Sequence, residues 1–365
     1  MMETAFPTLR PLKWLGCITH TKDSENKIDS TNTPYRAPSL LSETVARSCT
    51  ELVLRECEIE ELPELIGMYY LLRVLDVSEN KLTELPPDVG TCWSLRVLDF
   101  SSNQIKVIPD EIQQLPYLDT LKCYNNKILD IPDWVGTMPL IEFNCFNNTV
   151  VQLPETLGQL TAVTKLNLAC NKCMQMPDEV MEGWKKLTSL KVYDCRLLKM
   201  GGFGHLQQLE ELSLFNNNLA TLPDFGRRSL PKLTVVELNH NQITELPLGF
   251  FLSVPALTKL VLNKNLIDTI PSGIEAPKLE HLKLGQNKLT HLPPDLPLLP
   301  ALKVLFLNGN HLQALPETFT RAKGLARVNL SMNSAIAKNS KDILVAIKKQ
   351  CKANKGQYWA PDTLG

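Results

Sequence analysis

A fifteen-residue pattern recurs along this chain every 22 to 24 residues, and it constrains the fold more than any other feature. Residues 72–86 read LRVLDVSENKLTELP and residues 95–109 read LRVLDFSSNQIKVIP. Both fit the frame L-x-x-L-x-L-x-x-N-x-L-x-x-L-P, which occurs thirteen times. So regular a period predicts a stack of similar units, because one unit cannot bury its own apolar side chains. The frames begin at Cys49, Leu72, Leu95, Leu118, Leu140, Val163, Leu187, Leu209, Leu233, Leu257, Leu279, Leu302 and Leu325.

The spacing within the frame predicts the local structure of each unit. The L-x-L alternation places every second side chain on one face of a short strand, which we expect to be the buried face. The asparagine at frame position 9 ends the strand, because its amide bonds to main-chain groups at the bend. Cysteine replaces it at Cys57 and Cys195. The proline at position 15 turns the chain onto the outer wall. We therefore predict an α/β curved solenoid with a parallel concave sheet and helical caps.

This frame resembles that of a known class of proteins. A period averaging 23 residues, with a Leu-Pro pair after the asparagine as at Leu85-Pro86, is similar to the intracellular Ras-group leucine-rich repeat proteins of the Scribble and Erbin type. The resemblance covers residues 49–333. It implies a horseshoe-shaped solenoid and protein–protein scaffolding, often in signalling through small GTPases, kinases or phosphatases.

The sequence outside the frames predicts the domain organisation. Residues 20–33 are polar and without period, which is typical of a mobile arm. Ser340 is a candidate N-cap for a helix over 340–352. Residues 200–204, which replace the Leu-Pro corner of one repeat, predict either a loosened outer turn or a hinge. We expect a flexible N-terminal arm at 1–37, a helical cap at 38–48, the repeats at 49–336, and a helical cap with a tail at 337–365.

Composition and motifs argue against several classes of function. The 365-residue chain has a formal net charge of −1, which gives no general attraction to nucleic acid or to an anionic membrane. It contains no long apolar run and no secretory signal, so we expect a cytoplasmic protein without membrane insertion. Cys170 and Cys173 form a C-x-x-C, but the frame places them on opposite sides of the strand, so no metal site is expected. We find no catalytic motif, and we expect neither an enzyme nor a cofactor.

A protein partner is expected on the concave face, at frame positions 2, 3, 5, 7 and 8. Position 7 carries an aromatic residue in four of five consecutive repeats, at Tyr124, Phe146, Tyr193 and Phe215. Large aromatic residues are typical anchors at the centres of interfaces. Rings on neighbouring strands also stack on one another, so this column predicts either a partner anchor or a ladder that supports the sheet.

Charge on the same face is polarised along the chain. The first repeats display acidic residues that include Asp76 and Asp99. The last repeats display the basic residues Lys259, Lys264, Lys283 and Lys303 and, on the same face, one acidic residue, Glu280. These ends would orient a long partner, or they are ordinary solvated charge.

The leading hypothesis is therefore a non-enzymatic scaffold that binds a protein partner on its concave face in intracellular signalling. One alternative is a structural subunit of a large cytoskeletal or organellar complex. A second is a regulator of a small GTPase, kinase or phosphatase.

Overall fold

The computed structural model describes residues 27–29, 46, 48–225, 229–247 and 249–361. The chain divides into two compact units, residues 1–149 and residues 150–365. In each unit, every predicted frame contributes one short strand to a parallel sheet, so five frames contribute to the first unit and eight to the second. The sequence-based prediction of a repeat solenoid is confirmed.

The first unit has a six-stranded parallel sheet. The inward residue of each strand pairs with its equivalent in the next, as Leu75 does with Leu98, because the frame repeats in register. Short 3-10 helices return the chain on the outer side. The strands are Lys27–Asp29, Glu51–Val53, Val74–Asp76, Val97–Asp99, Thr120–Lys122 and Glu142–Asn144, and the 3-10 helices are Glu64–Met68, Pro87–Thr91, Asp110–Gln114 and Asp133–Thr137.

The second unit has a nine-stranded parallel sheet and, on its outer side, a two-stranded sheet of Gln175–Met176 and Lys199–Met200. The nine main strands are Lys165–Asn167, Ser189–Lys191, Glu211–Ser213, Val235–Glu237, Lys259–Val261, His281–Lys283, Val304–Phe306, Arg327–Asn329 and Gln357–Trp359. The α-helices are Asp178–Met181, Phe250–Ser253, Ser334–Asn339 and Lys341–Ala353, and the 3-10 helices are Glu155–Gln159, Leu296–Leu298 and Glu317–Arg321.

The frame asparagines form a ladder of buried hydrogen bonds, which Asn217 illustrates. Its Oδ1 accepts from the main-chain N–H groups of Cys195 and Leu197 in the preceding repeat, at 3.0 and 2.9 Å. Its Nδ2 donates to the carbonyl oxygens of Val192 and Leu214, at 2.7 and 3.0 Å. Asparagine suits this position because one short side chain carries both donors and an acceptor. At this bend the asparagine side chain itself pairs the main-chain groups of two successive repeats.

Apolar frame positions fill the interior of both units. In the first unit Leu72, Leu95 and Phe100 are fully buried, and in the second Leu190 and Leu212 are buried in the same way. The indole of Trp184 is also buried and donates from Nε1 to the Leu157 carbonyl oxygen at 2.8 Å. Repeat-to-repeat burial of this kind supplies most of the stability of such folds.

The N-terminal arm differs from the prediction at three residues. Lys27–Asp29 is a strand that pairs in parallel with Glu51–Val53. The first repeat has an open edge, and a short segment of almost any sequence can pair with it through main-chain hydrogen bonds. The rest of the predicted arm, and the predicted cap at 38–48 apart from residues 46 and 48, lie outside the described residues.

The C-terminal cap contains the predicted helix and, in addition, a strand that was not predicted. The helix expected at 340–352 is present as Lys341–Ala353, with Ile347 and Cys351 buried. Ser340 precedes it, but its hydroxyl does not cap the helix; it accepts a hydrogen bond from the Leu315 N–H at 2.9 Å. The tail then adds the strand Gln357–Trp359 beside Arg327–Asn329.

The loosened outer turn predicted for residues 200–204 is wrong, and the alternative of a hinge stays a prediction. The Gly201 N–H donates to the Met176 carbonyl at 2.8 Å, and the Gly202 N–H donates to Asp178 Oδ1 at 2.7 Å. Phe203 is fully buried. A Cβ at Gly201 would lie 2.8 Å from the Met181 methyl group, so glycine permits this close packing. The segment is a tight outer corner.

Candidate functional site

The candidate site lies on the sheet face of the second unit, where the strands Ser189–Lys191 and Glu211–Ser213 end. The Val192 N–H donates to the Ser213 carbonyl at 2.9 Å, and the Asp194 N–H donates to the Phe215 carbonyl at 3.1 Å. These bonds hold two successive repeats in register. Tyr193 and Phe215, both at frame position 7, therefore stand side by side on the face opposite the core.

The two rings are stacked. Their centroids are 4.2 Å apart and their planes differ by 10°. Both side chains are partly exposed. Desolvation raises the pKa of the Tyr193 phenol, with a smaller contribution from nearby Cys170 and Asp194, so the phenol is neutral at physiological pH. The stack thus offers a rigid apolar surface with one polar group.

Beside the stack is an open pocket of about 360 Å3. Lys259 Nζ lies 2.6 Å from Glu237 Oε1, and the Ser213 hydroxyl donates to Glu237 Oε2 at 3.3 Å. Because this ion pair is about one-third exposed, its net contribution to folding is small, and its main effect is to hold both charges in place. The side chains that give the pocket its character are those of Lys191, Tyr193, Glu211, Phe215, Glu237 and Lys259.

The four predicted aromatic residues all lie outside the core. Tyr124 and Phe146 are partly exposed in the first unit, and Tyr193 and Phe215 are partly exposed in the second. The structure brings the second pair into direct contact, which is the self-packing arrangement that the sequence left open. The contact leaves part of each ring exposed, so the same rings remain able to receive a partner.

The predicted acidic display is wrong for Asp99, which is only 8% exposed. Its Oδ1 accepts from the N–H and the hydroxyl of Ser101 at 3.0 and 2.5 Å, and Lys122 Nζ lies 3.9 Å away. Burial raises the pKa of Asp99 in spite of these bonds. Asp76 makes the same two bonds to Ser78, at 2.9 and 2.5 Å. Each carboxylate thus accepts two hydrogen bonds from the serine at the end of its own strand.

The predicted basic display is partly neutralised. Lys303 Nζ lies 2.7 Å from Glu280 Oε1, and Lys259 is paired with Glu237. Lys283 Nζ lies 5.5 Å from the centre of the Phe306 ring, a cation–π geometry. Lys264 is exposed beside a shallower pocket of about 240 Å3 that asparagines and Gly285 line. Glu237 was not predicted from the sequence, although it occupies an exposed frame position one repeat before Lys259.

Within the described residues, no helix is long and apolar enough to cross a membrane, and no group of three or more histidine, cysteine or acidic side chains could hold a metal ion. Cys173 is buried, whereas Cys170 is partly exposed. The frame-based assignment of these two cysteines to different environments is therefore confirmed.

Comparison with known families agrees with this geometry. A model described as a leucine-rich repeat region matches residues 81–276, more than half of the chain. The chain belongs to the leucine-rich repeat family. A second leucine-rich repeat model matches residues 277–334. A comparison with curated protein sequences gives no match.

Solved leucine-rich repeat structures superpose on most of the chain. A leucine-rich repeat protein of Leptospira interrogans is 27% identical, with a TM-score of 0.73, and the match covers 92% of this chain and 89% of that one. An internalin of Listeria monocytogenes is 20% identical, with a TM-score of 0.74 and 89% of each chain covered. The Drosophila Toll–Spatzle complex gives 20% identity and a TM-score of 0.65, over 82% of this chain and 44% of that one.

These comparisons establish the family and the fold. Leucine-rich repeats are a common scaffold for protein–protein interaction, and they are typically not enzymes. The finer resemblance to the intracellular Ras group stays a prediction from the sequence.

Proposed function

We propose that this leucine-rich repeat protein is a non-enzymatic scaffold that binds a protein partner on the exposed sheet face of its second unit. The observation that carries this proposal is the stack of Tyr193 on Phe215 beside the open pocket and the Glu237–Lys259 pair. A partner would cover the exposed part of the two rings and leave the ion pair at the rim. Buried aromatic anchors within a polar rim are the usual arrangement in protein interfaces.

Several features favour a protein over a small molecule. The pocket is open and lies on a face built from short strands, so a compact ligand would remain largely exposed to water. Charges of both signs border the rings, at Lys191, Glu211, Glu237 and Lys259. A partner with acidic and basic side chains can match them, and a mismatched partner would leave charges unpaired. The Toll–Spatzle complex shows that a protein of similar fold takes part in a protein complex.

The test is quantitative recovery of partners from cells that express the tagged full-length chain. We expect Tyr193→Ala with Phe215→Ala to reduce recovery of the main partner at least tenfold, because interface rings of this kind each cost roughly 2 kcal/mol when truncated. Glu237→Gln with Lys259→Gln should reduce it less, because rim charges contribute less to affinity.

Tyr117→Ala is the matched control, since it removes an exposed ring that does not line the pocket. Circular dichroism would show that each variant is folded. Full recovery of every partner by the folded Tyr193→Ala, Phe215→Ala variant would exclude this face as the binding site. A hydrogen-exchange experiment on the purified complex would then locate the true one.

A further inference from the structure

A second surface of the second unit has a different chemistry from the pocket. Three large apolar side chains occupy frame position 12 in successive repeats: Val151, Met174 and Leu198. They are 53%, 49% and 51% exposed, and none of them lines the pocket beside Tyr193 and Phe215. A single exposed apolar residue is ordinary on a protein surface, but three at equivalent positions form a row. We name this row the lateral stripe.

Main-chain hydrogen bonds hold the lateral stripe in register. The Leu198 N–H donates to the Met174 carbonyl at 2.9 Å, and the Lys172 N–H donates to the Val150 carbonyl at 2.8 Å. Successive repeats are separated by about 4.8 Å, so the stripe extends over about 10 Å. The stripe also adjoins the two-stranded outer sheet that begins at Gln175 and Lys199. The stripe is therefore part of the hydrogen-bonded outer wall.

The exposure of the lateral stripe is not an incidental result of core packing. The residues just before its members, Val150, Cys173 and Leu197, fill the interior and are almost completely buried. Five later repeats of the same unit hold small or polar residues at position 12, and the fold forms there equally well. Those residues are Ala220, Thr244, Asp268, Thr290 and Gln313.

Cationic side chains border the stripe. Lys172 and Arg196 lie two residues before Met174 and Leu198, and Lys199 follows Leu198 directly. All three are exposed. Across the described part of the chain, none of them has a carboxylate within ion-pair distance. Charges on adjacent repeats lie within the screening length of about 8 Å, so they attract an acidic ligand together.

We propose that the lateral stripe docks an acidic amphipathic helix of a partner protein. Apolar side chains one helical turn apart are about 5.4 Å from each other, close to the step of about 4.8 Å between members of the stripe. In an extended strand, side chains on one face are about 6.8 Å apart and would lose register within two steps. Acidic residues flanking the apolar face of the helix would then meet Lys172, Arg196 and Lys199.

A bilayer with anionic lipids is the competing occupant of an apolar and basic surface, but the surroundings of the stripe oppose it. Glu155, Asp178 and Glu179 are exposed at the start of the helical turns that follow in the chain. A broad anionic surface would meet these carboxylates as well as the cations. A single helix, about 10 Å wide, can cover the stripe and leave them in water.

The test is selection of ligands from a phage-displayed library of random sixteen-residue peptides on the full-length chain. We expect enriched peptides to be acidic, with apolar residues every three or four positions. For a synthetic peptide of this kind, Lys172→Glu with Arg196→Glu and Lys199→Glu should weaken binding at least tenfold by fluorescence anisotropy. Met174→Gln with Leu198→Gln should weaken binding to a similar extent. Met174→Leu with Leu198→Met keeps both side chains apolar and should bind the peptide as tightly as the parent chain.

Three controls separate the possible results. Lys288→Glu changes an exposed lysine of a later repeat at the frame position of Lys172 and should leave peptide binding unchanged. The Tyr193→Ala, Phe215→Ala variant should also bind the peptide normally. The proposal for the lateral stripe and the proposal for the pocket are therefore tested independently. Sedimentation with phosphatidylcholine–phosphatidylserine vesicles tests the bilayer. Selection of no acidic peptide, equal binding by the stripe variants, or stripe-dependent vesicle binding would each overturn the proposal.

Discussion

The same frame positions are used in opposite ways in two regions of this leucine-rich repeat protein. In the first unit, Asp76 and Asp99 at position 5 bond to Ser78 and Ser101 at position 7, through both the N–H and the hydroxyl of each serine. In the second unit, position 7 holds Tyr193 and Phe215, which stack beside an open pocket. The second and third repeats thus pair position 5 with position 7 within one strand end, whereas the seventh and eighth repeats present partly exposed aromatic rings at position 7.

This difference shows why the architecture alone does not locate the binding surface. Both regions have the same inward leucines and the same asparagine ladder, so they fold by the same interactions. Two hydrogen bonds from Ser101 hold the nearly buried Asp99 carboxylate against its own strand end, so this carboxylate presents little surface to a partner. Partly exposed aromatic rings, by contrast, gain free energy when a partner covers them. The ability to bind a partner therefore depends on which frame positions leave side-chain surface uncovered.

The largest expected effect tests what the two regions share. Asn217→Ala should lower the free energy of unfolding by about 3 kcal/mol or more, because it leaves several buried main-chain groups without partners. Asn103→Ala should cost a similar amount, since Asn103 accepts from Leu82 N–H and donates to the Val77 and Phe100 carbonyls. Urea denaturation combined with hydrogen exchange in each unit measures both.

Asn218→Ala is the control for this comparison, because Asn218 is partly exposed next to Asn217 and its truncation should cost far less. If the asparagine ladder stabilises both regions equally, Asn103→Ala and Asn217→Ala should lower the free energy of unfolding by similar amounts. A small loss at one site alone would mean that the two regions are held together by different interactions.

A smaller effect tests what separates the two regions. Asp99→Asn keeps an acceptor oxygen for Ser101 but removes a buried charge, so it should change stability at neutral pH by less than about 1 kcal/mol. Burial raises the folded-state pKa of Asp99 above its ordinary value of 3.8, so the folded chain holds this proton more tightly than the unfolded chain. The contribution of Asp99 to stability should therefore rise as the pH falls through that raised pKa, and Asp99→Asn should abolish this contribution.

The measurement is the difference in unfolding free energy between the parent chain and Asp99→Asn as a function of pH, since other acidic groups cancel in it. Asp99→Ala provides the contrast, because it leaves the Ser101 N–H and hydroxyl without their acceptor and should destabilise the chain at every pH. A pH-independent difference for Asp99→Asn would show that the carboxylate is effectively solvated.

The sequence predicted the repeating parts of the fold because their signal is itself periodic. The spacing from Leu72 to Asn80 defines strand, buried face and bend, and the structure agrees in every frame. The edge strands Lys27–Asp29 and Gln357–Trp359 were missed, because they pair through main-chain groups that any sequence carries. The tight corner at Gly201 and Phe203 was also missed, since it depends on contacts with the previous repeat.

The site was predicted less completely than the fold. Tyr193 and Phe215 were identified from their shared frame position, but the pairing of Glu237 with Lys259 depends on side-chain geometry that spacing does not fix. The buried state of Asp99 followed from its serine bonds and not from its frame position. The lateral stripe lies at frame position 12, outside the strand positions from which the binding face was predicted.

The smallest expected effect is a difference in the rate of alkylation between cysteines of the two regions. Cys123 and Cys145 are buried in the first unit, whereas Cys170 is partly exposed in the second and its Sγ lies 4.0 Å from Asp194 Oδ2. Burial and, secondarily, Asp194 raise the pKa of the Cys170 thiol, so its reaction with iodoacetamide should be slow at neutral pH and faster at higher pH. Asp194→Asn should accelerate it severalfold. Peptide mapping by mass spectrometry should find Cys170 modified well before Cys123 and Cys145. Comparable rates at all three cysteines would show that the first unit opens locally and exposes its buried thiols.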